Sequence, residues 1–158
     1  MRMLMVCLGN ICRSPLAEGI LWYHTQNLRP PWFIDSAGTA GYHTGEAPHP
    51  LSIKVARQHG IDISRQQARA FQPADMDRFD RIWVMDRSNY ADLQRCCGNR
   101  WQPGKTDLIL NLLYPGEDRE VPDPWYGTEK DYHTVFAMLD AACRELVRKF
   151  NTAGQNPS

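Results

Sequence analysis

The sequence contains no apolar run long enough to cross a membrane. Its longest, Met3 to Leu8, is closed at once by Gly9, Asn10 and Arg13. That stretch is also too short for the apolar segment of a secretory signal. An excess of one charge is missing as well: Lys+Arg and Asp+Glu number 18 each. Without a global basic field, neither nucleic acid nor membrane insertion is expected, and any attraction to phosphate must be local. The cysteines are few and odd in number, 5, and lack framework spacing, which suits a reducing cytoplasm better than a disulfide scaffold. No Cys/His cluster has metal-ligand spacing, and neither G-x-x-x-x-G-K-[ST] nor G-x-G-x-x-G occurs, so no metal and no cofactor is expected. Internal repeats and low-complexity tracts are absent.

What remains is an ordinary globular composition, 42% hydrophobic and 23% charged over 158 residues, enough for one domain with a proper core. Short apolar runs alternate with helical patterns. Strands are expected at Met3–Val6, at Trp32–Ile34 ending at Asp35-Ser36, at Arg81–Met85 and at Thr106–Leu110. Helices are expected from Ser14 to Gln26, from near Pro48 or Pro50 to a stop at Gly60, and from Asp86 to Cys96. The last, carrying Tyr132, Val135, Phe136, Leu139, Ala142, Cys143, Leu146, Val147 and Phe150, is close to a perfect 3.6 period. Strands joined by helical crossovers give an α/β, single-domain, three-layer fold, a four-stranded parallel sheet with helices on both faces. The domain is expected over residues 1–152, with a flexible C-terminal tail at 153–158. Ligands of such sheets sit beyond the carboxyl ends of the strands, where the loop after Val6, Ser36 and Asp86 would meet under the long loops 37–50 and 114–128.

The first of those loops, Cys7-Leu8-Gly9-Asn10-Ile11-Cys12-Arg13, follows a buried strand and precedes a helix start, with Ser14 placed as N-cap and Pro15 at the first helical position. A strand–loop–helix turn aims backbone N–H groups and the helix's positive end at one point. A Cys at its entrance and an Arg at its exit set a nucleophile against a bound anion. Taken alone, a cysteine after a buried strand is more often an inert core residue. The surrounding loop is what raises Cys7 above that reading.

The stretch Val6–Pro15 resembles the phosphate-binding loop of the low-molecular-weight protein-tyrosine phosphatases. Far along the chain, Asp123-Pro124-Trp125-Tyr126-Gly127 resembles that family's general-acid loop, usually Asp-Pro-Tyr-Tyr-Gly. Ile34–Thr39, His59-Gly60-Ile61 and Met85–Asn89 fall where members have similar stretches, so the resemblance spans roughly residues 3–150 in order.

The resemblance implies hydrolysis of phosphotyrosine and small aryl phosphates through a phosphocysteine on Cys7, with Arg13 gripping the phosphoryl oxygens and Asp123 as general acid. A free thiol is mostly protonated at neutral pH, so the loop amides, the helix end and Arg13 are needed to favour the thiolate. Leu8, Gly9, Asn10, Ile11 and Cys12 would complete the phosphate loop. Ser14 would stabilise the departing thiolate, and Asn10, left-handed and bonded to Ser36, would brace the turn. Tyr42, Trp125 and Tyr126 would wall the pocket for a flat ring. Cys12 is either a packing residue or the redox partner of Cys7, as in some members.

The implied partners are phosphotyrosine proteins, a bacterial tyrosine kinase among them by analogy, met in the cytoplasm by a monomer. Three alternatives stay open. Protein-arginine phosphatases of the same family resemble this chain but carry Thr where Ile11 stands. Arsenate reductases on the same fold need two further spaced cysteines, whereas Cys96 and Cys97 are adjacent. A non-catalytic phosphotyrosine-binding module would not need Cys7, Arg13 and Asp123 together. His59 is expected to be a hydrogen-bonded structural histidine, Cys143 a core residue, and Asp86 a helix cap near the catalytic edge.

Overall fold

A computed structural model describes residues 1–151; the tail expected over 153–158 lies outside the described residues. The chain runs β1 (Arg2–Cys7), α1 (Arg13–Thr25), β2 (Phe33–Gly38), α2 (Pro50–Gln58), a one-turn α3 (Asp75–Arg78), β3 (Arg81–Val84), α4 (Arg87–Cys97), β4 (Thr106–Leu108) and α5 (Glu129–Phe150). The strands form one parallel sheet in the order β2-β1-β3-β4. The α/β fold, with its four parallel strands and helices on both faces, is the one the alternation of runs implies.

β1 is central, and its residues divide the core by simple alternation. Met3, Met5 and Cys7 join α1, α2 and α5 through Leu16, Ile20, Val55, Tyr132 and Leu139. Leu4 and Val6 join the other layer, with Met76 of α3 and Leu93 and Cys97 of α4. A strand buried on both faces has to be apolar throughout, which is why Met3–Val6 is an unbroken apolar run.

Helix ends follow their local chemistry. Asp86 caps α4, accepting the Asn89 N–H at 2.8 Å, while Asn89 Oδ1 accepts the Asp86 N–H at 3.2 Å. Gly60, at φ +77°, turns the chain out of α2 where a side chain would be strained. α5 starts behind Thr128, whose N–H donates to Asp131 at 2.8 Å, and its apolar stripe is buried as the period requires.

Several boundaries differ from the sequence reading. β2 starts one residue after Trp32 and continues past Ser36 to Gly38, because its polar end is hydrogen-bonded into the site below. β4 ends at Leu108, and Ile109–Leu112 coil into a tight 3-10 turn. α3 falls inside a stretch read as irregular. Among the described residues no helix is long and apolar enough to cross a membrane.

Candidate active site

β1 delivers Cys7 to the carboxyl edge of the sheet, and α1 begins at Arg13. The intervening loop is turned inside out. The Cys7 and Leu8 carbonyls accept the N–H groups of Thr39 and Ala40, both at 2.9 Å, and the Ile11 carbonyl accepts that of His49 at 2.8 Å. The Cys12 carbonyl accepts the Ser52 hydroxyl at 3.2 Å. With its carbonyls held by the surrounding shell, the loop offers amides to whatever lies inside it, and α1 adds its positive end. Gly38 at the end of β2 sits tight beneath the loop: a Cβ there would meet Leu8 O at 2.8 Å and Ala40 O at 3.0 Å.

The N-terminus of α1 corrects the sequence reading. Ser14 is not the N-cap, and Pro15 is not the first helical residue. Cys12 occupies the cap position without a side-chain cap bond, and Arg13 is the first helical residue. The role of cap acceptor falls instead to Cys7 Sγ, which the Ser14 N–H reaches at 3.5 Å. A sulfur facing the free N–H groups of a helix end does what a capping oxygen would do.

Ser14 Oγ lies 3.1 Å from Cys7 Sγ and accepts a hydrogen bond from Asn10 Nδ2 at 2.8 Å. Its own proton is therefore free to point at the sulfur. Asn10 is in the left-handed region at φ +58°, as expected of a brace. It donates its second N–H to Ser36 Oγ at 2.9 Å and accepts the Arg69 N–H at 3.0 Å. These bonds pin the turn from three sides.

Arg13 is buried and rigid. Its Nη1 donates to Asp86 at 2.8 Å and to the Val121 carbonyl at 2.9 Å. Burial opposes its charge, but Cys7, Asp86 and Asp123 together more than offset that and hold the guanidinium firmly protonated. Asp86 is thus both helix cap and anchor, fixing one edge of the fork so that the other stays available for a bidentate anion.

Asp123 comes in from the opposite loop. Its Oδ2 lies 3.8 Å from Arg13 Nη2, and its Oδ1 accepts the Trp125 N–H at 3.1 Å. A cavity of about 270 Å³ opens between the two loops. Cys7, Gly9, Ile11, Cys12 and Arg13 of the loop form its floor, and Leu8, Tyr42, Asp123 and Trp125 complete its lining. Tyr126 also lines it but is 97% exposed, and Tyr42 is 78% exposed, so both stand at the mouth rather than in a wall. Asn10, Ser14 and Ser36 support the floor from behind.

One lining residue is absent from the sequence reading. His43 packs its ring edge 3.1 Å from where a Gly9 Cβ would lie, and its Nδ1 is 2.7 Å from Glu46. Its ring centroid is 5.4 Å from that of Trp125, and the His49 ring meets Trp125 edge-on at the same distance. Trp125 therefore packs against two histidines, and through it the Asp123 loop is seated over the cradle. The signal available in the sequence was only a His in a loop of the right length.

The remaining cysteines separate cleanly. Cys12 is buried, with its Sγ 3.6 Å from the Tyr132 hydroxyl, and burial pushes its thiol up to about 12. Cys143 lies in the core against the Ala17 carbonyl. Cys96 is exposed and Cys97 buried at the far end of α4, in the layer opposite Cys7. His59 is structural through stacking, its ring centroid 4.0 Å from that of Phe136, rather than through the hydrogen bond expected of it. Among the described residues no group of three or more His, Cys, Asp or Glu could hold a metal ion. A larger, open hollow near Met1, Trp32 and Phe150 lies at the other edge of the sheet and is lined by no cysteine.

A family model described as low molecular weight phosphotyrosine protein phosphatase matches residues 2–156. The low molecular weight phosphotyrosine protein phosphatase of Homo sapiens is 37% identical over 149 residues, 92% of this chain and 93% of that protein. Among solved structures, a protein tyrosine phosphatase from Entamoeba histolytica with Hepes in the active site aligns with a TM-score of 0.87 at 36% identity, covering 98% of this chain and 99% of that one. A Drosophila arginine phosphatase aligns with a TM-score of 0.85 at 28% identity, covering 95% and 98%.

Proposed function

Given that the chain belongs to the low molecular weight phosphotyrosine protein phosphatase family, we propose that it hydrolyses phosphotyrosine and small aryl phosphates through a phosphocysteine formed on Cys7. The observation that carries this reading is the convergence of donors on one sulfur: the Ser14 hydroxyl at 3.1 Å and the Ser14 N–H at 3.5 Å, beside the fixed guanidinium of Arg13. Such an environment favours a thiolate and an adjacent oxyanion together.

In the first step the Cys7 sulfur bonds to phosphorus as the P–O bond to the aryl group breaks, and Asp123 supplies the proton that the leaving oxygen needs. Arg13 and the loop amides hold the equatorial oxygens throughout. In the second step Asp123 takes a proton from water, water attacks phosphorus, and the sulfur leaves as a thiolate stabilised by Ser14. Leu8, Gly9, Asn10, Ile11 and Cys12 shape the cradle, with Ser36 bracing it. Trp125 offers the flat wall for the phenyl ring, and Tyr42 and Tyr126 meet the peptide around it.

Ile11 favours an aromatic ester over a phosphoarginine, because a buried apolar side chain in the cavity floor leaves a guanidinium unpaired. Arsenate reduction is disfavoured by the distance along α4 that separates Cys96 and Cys97 from the Asp86 end of that helix, about 15 Å at 1.5 Å per residue. Cys12 reads as a packing residue bonded to Tyr132, and the redox partnership with Cys7 enters only once Cys7 is oxidised. We place the enzyme in the cytoplasm as a monomer acting on phosphotyrosine proteins, a bacterial tyrosine kinase among them; its free cysteines suit a reducing compartment.

The test is a parallel assay of phosphotyrosine, phosphoserine and phosphoarginine peptides with the native protein and Cys7→Ser. Phosphotyrosine should be preferred, and Cys7→Ser should bind inorganic phosphate without turnover. A preference for phosphoarginine overturns the substrate, and near-native turnover by Cys7→Ser overturns the nucleophile.

A further inference from the structure

Asp123 is the least anchored of the groups around the cradle, and the loop that carries it is held at few points. Val121 fixes its near end, donating its N–H to the Met85 carbonyl at 2.9 Å and accepting from Arg13 at 2.9 Å. Beyond Val121 the loop bonds to itself. Asp123 Oδ1 accepts the Trp125 N–H at 3.1 Å, and the Pro124 carbonyl accepts that of Gly127 at 2.8 Å. The Asp123 carboxyl and the Trp125 backbone therefore move as one unit. Within that unit Pro124 is buried, and the Trp125 indole packs on the rings of His43 and His49, with centroids 5.4 Å away in each case.

The two histidines are not held alike. His43 is bonded within its own exposed loop, to Glu46 three residues on at 2.7 Å. His49 is tied to two helices. It is the N-cap of α2, where its Nδ1 accepts the Leu51 N–H at 3.1 Å. Nδ1 must be unprotonated to accept, and burial favours that form by lowering the His49 pKa. Its ring also stacks on that of Tyr132 in α5, 5.1 Å between centroids and 26° between planes, and Tyr132 is fully buried. Against Trp125 the same ring stands at 74°, the edge-to-face arrangement that aromatic pairs favour.

We propose that His49 is a positioning residue for the general acid: its imidazole, immobilised by α2 and α5, seats the Trp125 indole and through it sets where the Asp123 carboxyl stands. Edge-to-face ring pairs are worth about a two- to tenfold bias in an equilibrium. Removing the seat lets the unit leave its place by that factor, and the loss falls on the step that uses the Asp123 proton.

The readout is the ratio of kcat/KM for p-nitrophenyl phosphate to that for phenyl phosphate. Nitrophenolate leaves without help and phenolate needs the proton, whereas any loss of ring binding is shared by both substrates and cancels. His49→Asn keeps an oxygen to cap Leu51 but removes the ring, and should raise the ratio two- to tenfold. His49→Phe keeps the ring but removes the cap, and should lower Tm while leaving the ratio near native. In Trp125→Ala, whose own ratio is already raised, adding His49→Asn should raise it no further. His49→Ser, also a cap without a ring, serves if the Asn variant folds poorly. A native ratio in the ring-less variants overturns the proposal. So does an equal rise in His49→Phe, or a full further rise on top of Trp125→Ala.

The inference rests on Asp123 being the general acid, and Asp123→Ala in the same assay separates the two. A raised ratio there beside a native ratio in His49→Asn sinks the seat alone. A native ratio in Asp123→Ala sinks the general acid, and the seat with it.

Discussion

At the residue scale the site divides its labour between groups that are fixed and one that is not. Cys7 and Arg13 are buried and held by named partners, whereas the Asp123 side chain keeps 43% of its surface and touches Arg13 only at 3.8 Å. An acid placed in this way acts on the leaving group rather than on the phosphoryl oxygens. Asp123→Ala should therefore lower kcat/KM for phosphotyrosine by about a hundredfold, but that for p-nitrophenyl phosphate, whose phenol leaves readily, by only a few-fold. Equal losses on the two substrates would assign the proton to another group. The principal residues were legible because their chemistry demands their types: a thiol, a planar fork and a carboxyl. Ser14 was legible as a partner of the loop but misread as its cap. A capping rule expects an oxygen acceptor, and here the acceptor is a sulfur seven residues upstream. His43 and His49 were not legible, because what matters in each is a contact with a segment remote in sequence.

At the scale of elements, β2 carries more than its length suggests. Its end is wedged beneath the loop at Gly38, where every near neighbour of an added Cβ is backbone. Gly38→Ala cannot be absorbed by a flexible side chain and must displace the cradle. It should lower kcat/KM at least tenfold and cost about 1–3 kcal/mol of stability, as overpacking does. Parallel kinetics and urea unfolding would check this, and a variant with native kinetics would show that the loop has slack. The same strand shows where sequence patterns fail. Trp32–Ile34 reads as a strand, but Asp35-Ser36 reads as its end, since polar residues normally leave a sheet. They stay because Asp35 is bonded to Arg69 and Ser36 to Asn10 and Glu18. By contrast β1, α4 and α5 follow their patterns closely, since apolar alternation, an Asp86 cap and a 3.6 period are local instructions.

At the scale of the whole molecule, the sheet sorts the chain into two packed layers and leaves one edge for chemistry. The cradle, the acid loop and Trp125 with its two histidine neighbours all meet there, drawn from positions more than a hundred residues apart in the sequence. Whatever occupies the cradle therefore ties these segments together, and a ligand of the native state stabilises the fold by mass action. Inorganic phosphate at 100 times its dissociation constant should add about 2.7 kcal/mol and raise Tm by roughly 5–10 °C. Thermal scans of the native protein, Cys7→Ser and Arg13→Ala would check this, with the rise kept in the first two and lost in the third. An equal rise in Arg13→Ala would move the phosphate elsewhere.

The outward carbonyls of the loop have one more consequence. Amides and a guanidinium see only the oxyanion in front of them and nothing of the group beyond it. Selectivity for one ester over another must then come from the side chains around them, Ile11 and Trp125 among them. These donors answer to the medium as well: sulfate, arsenate and free phosphate all present an oxyanion of the kind they bind. Free phosphate around the protein should therefore act as a competitive inhibitor of every substrate it has.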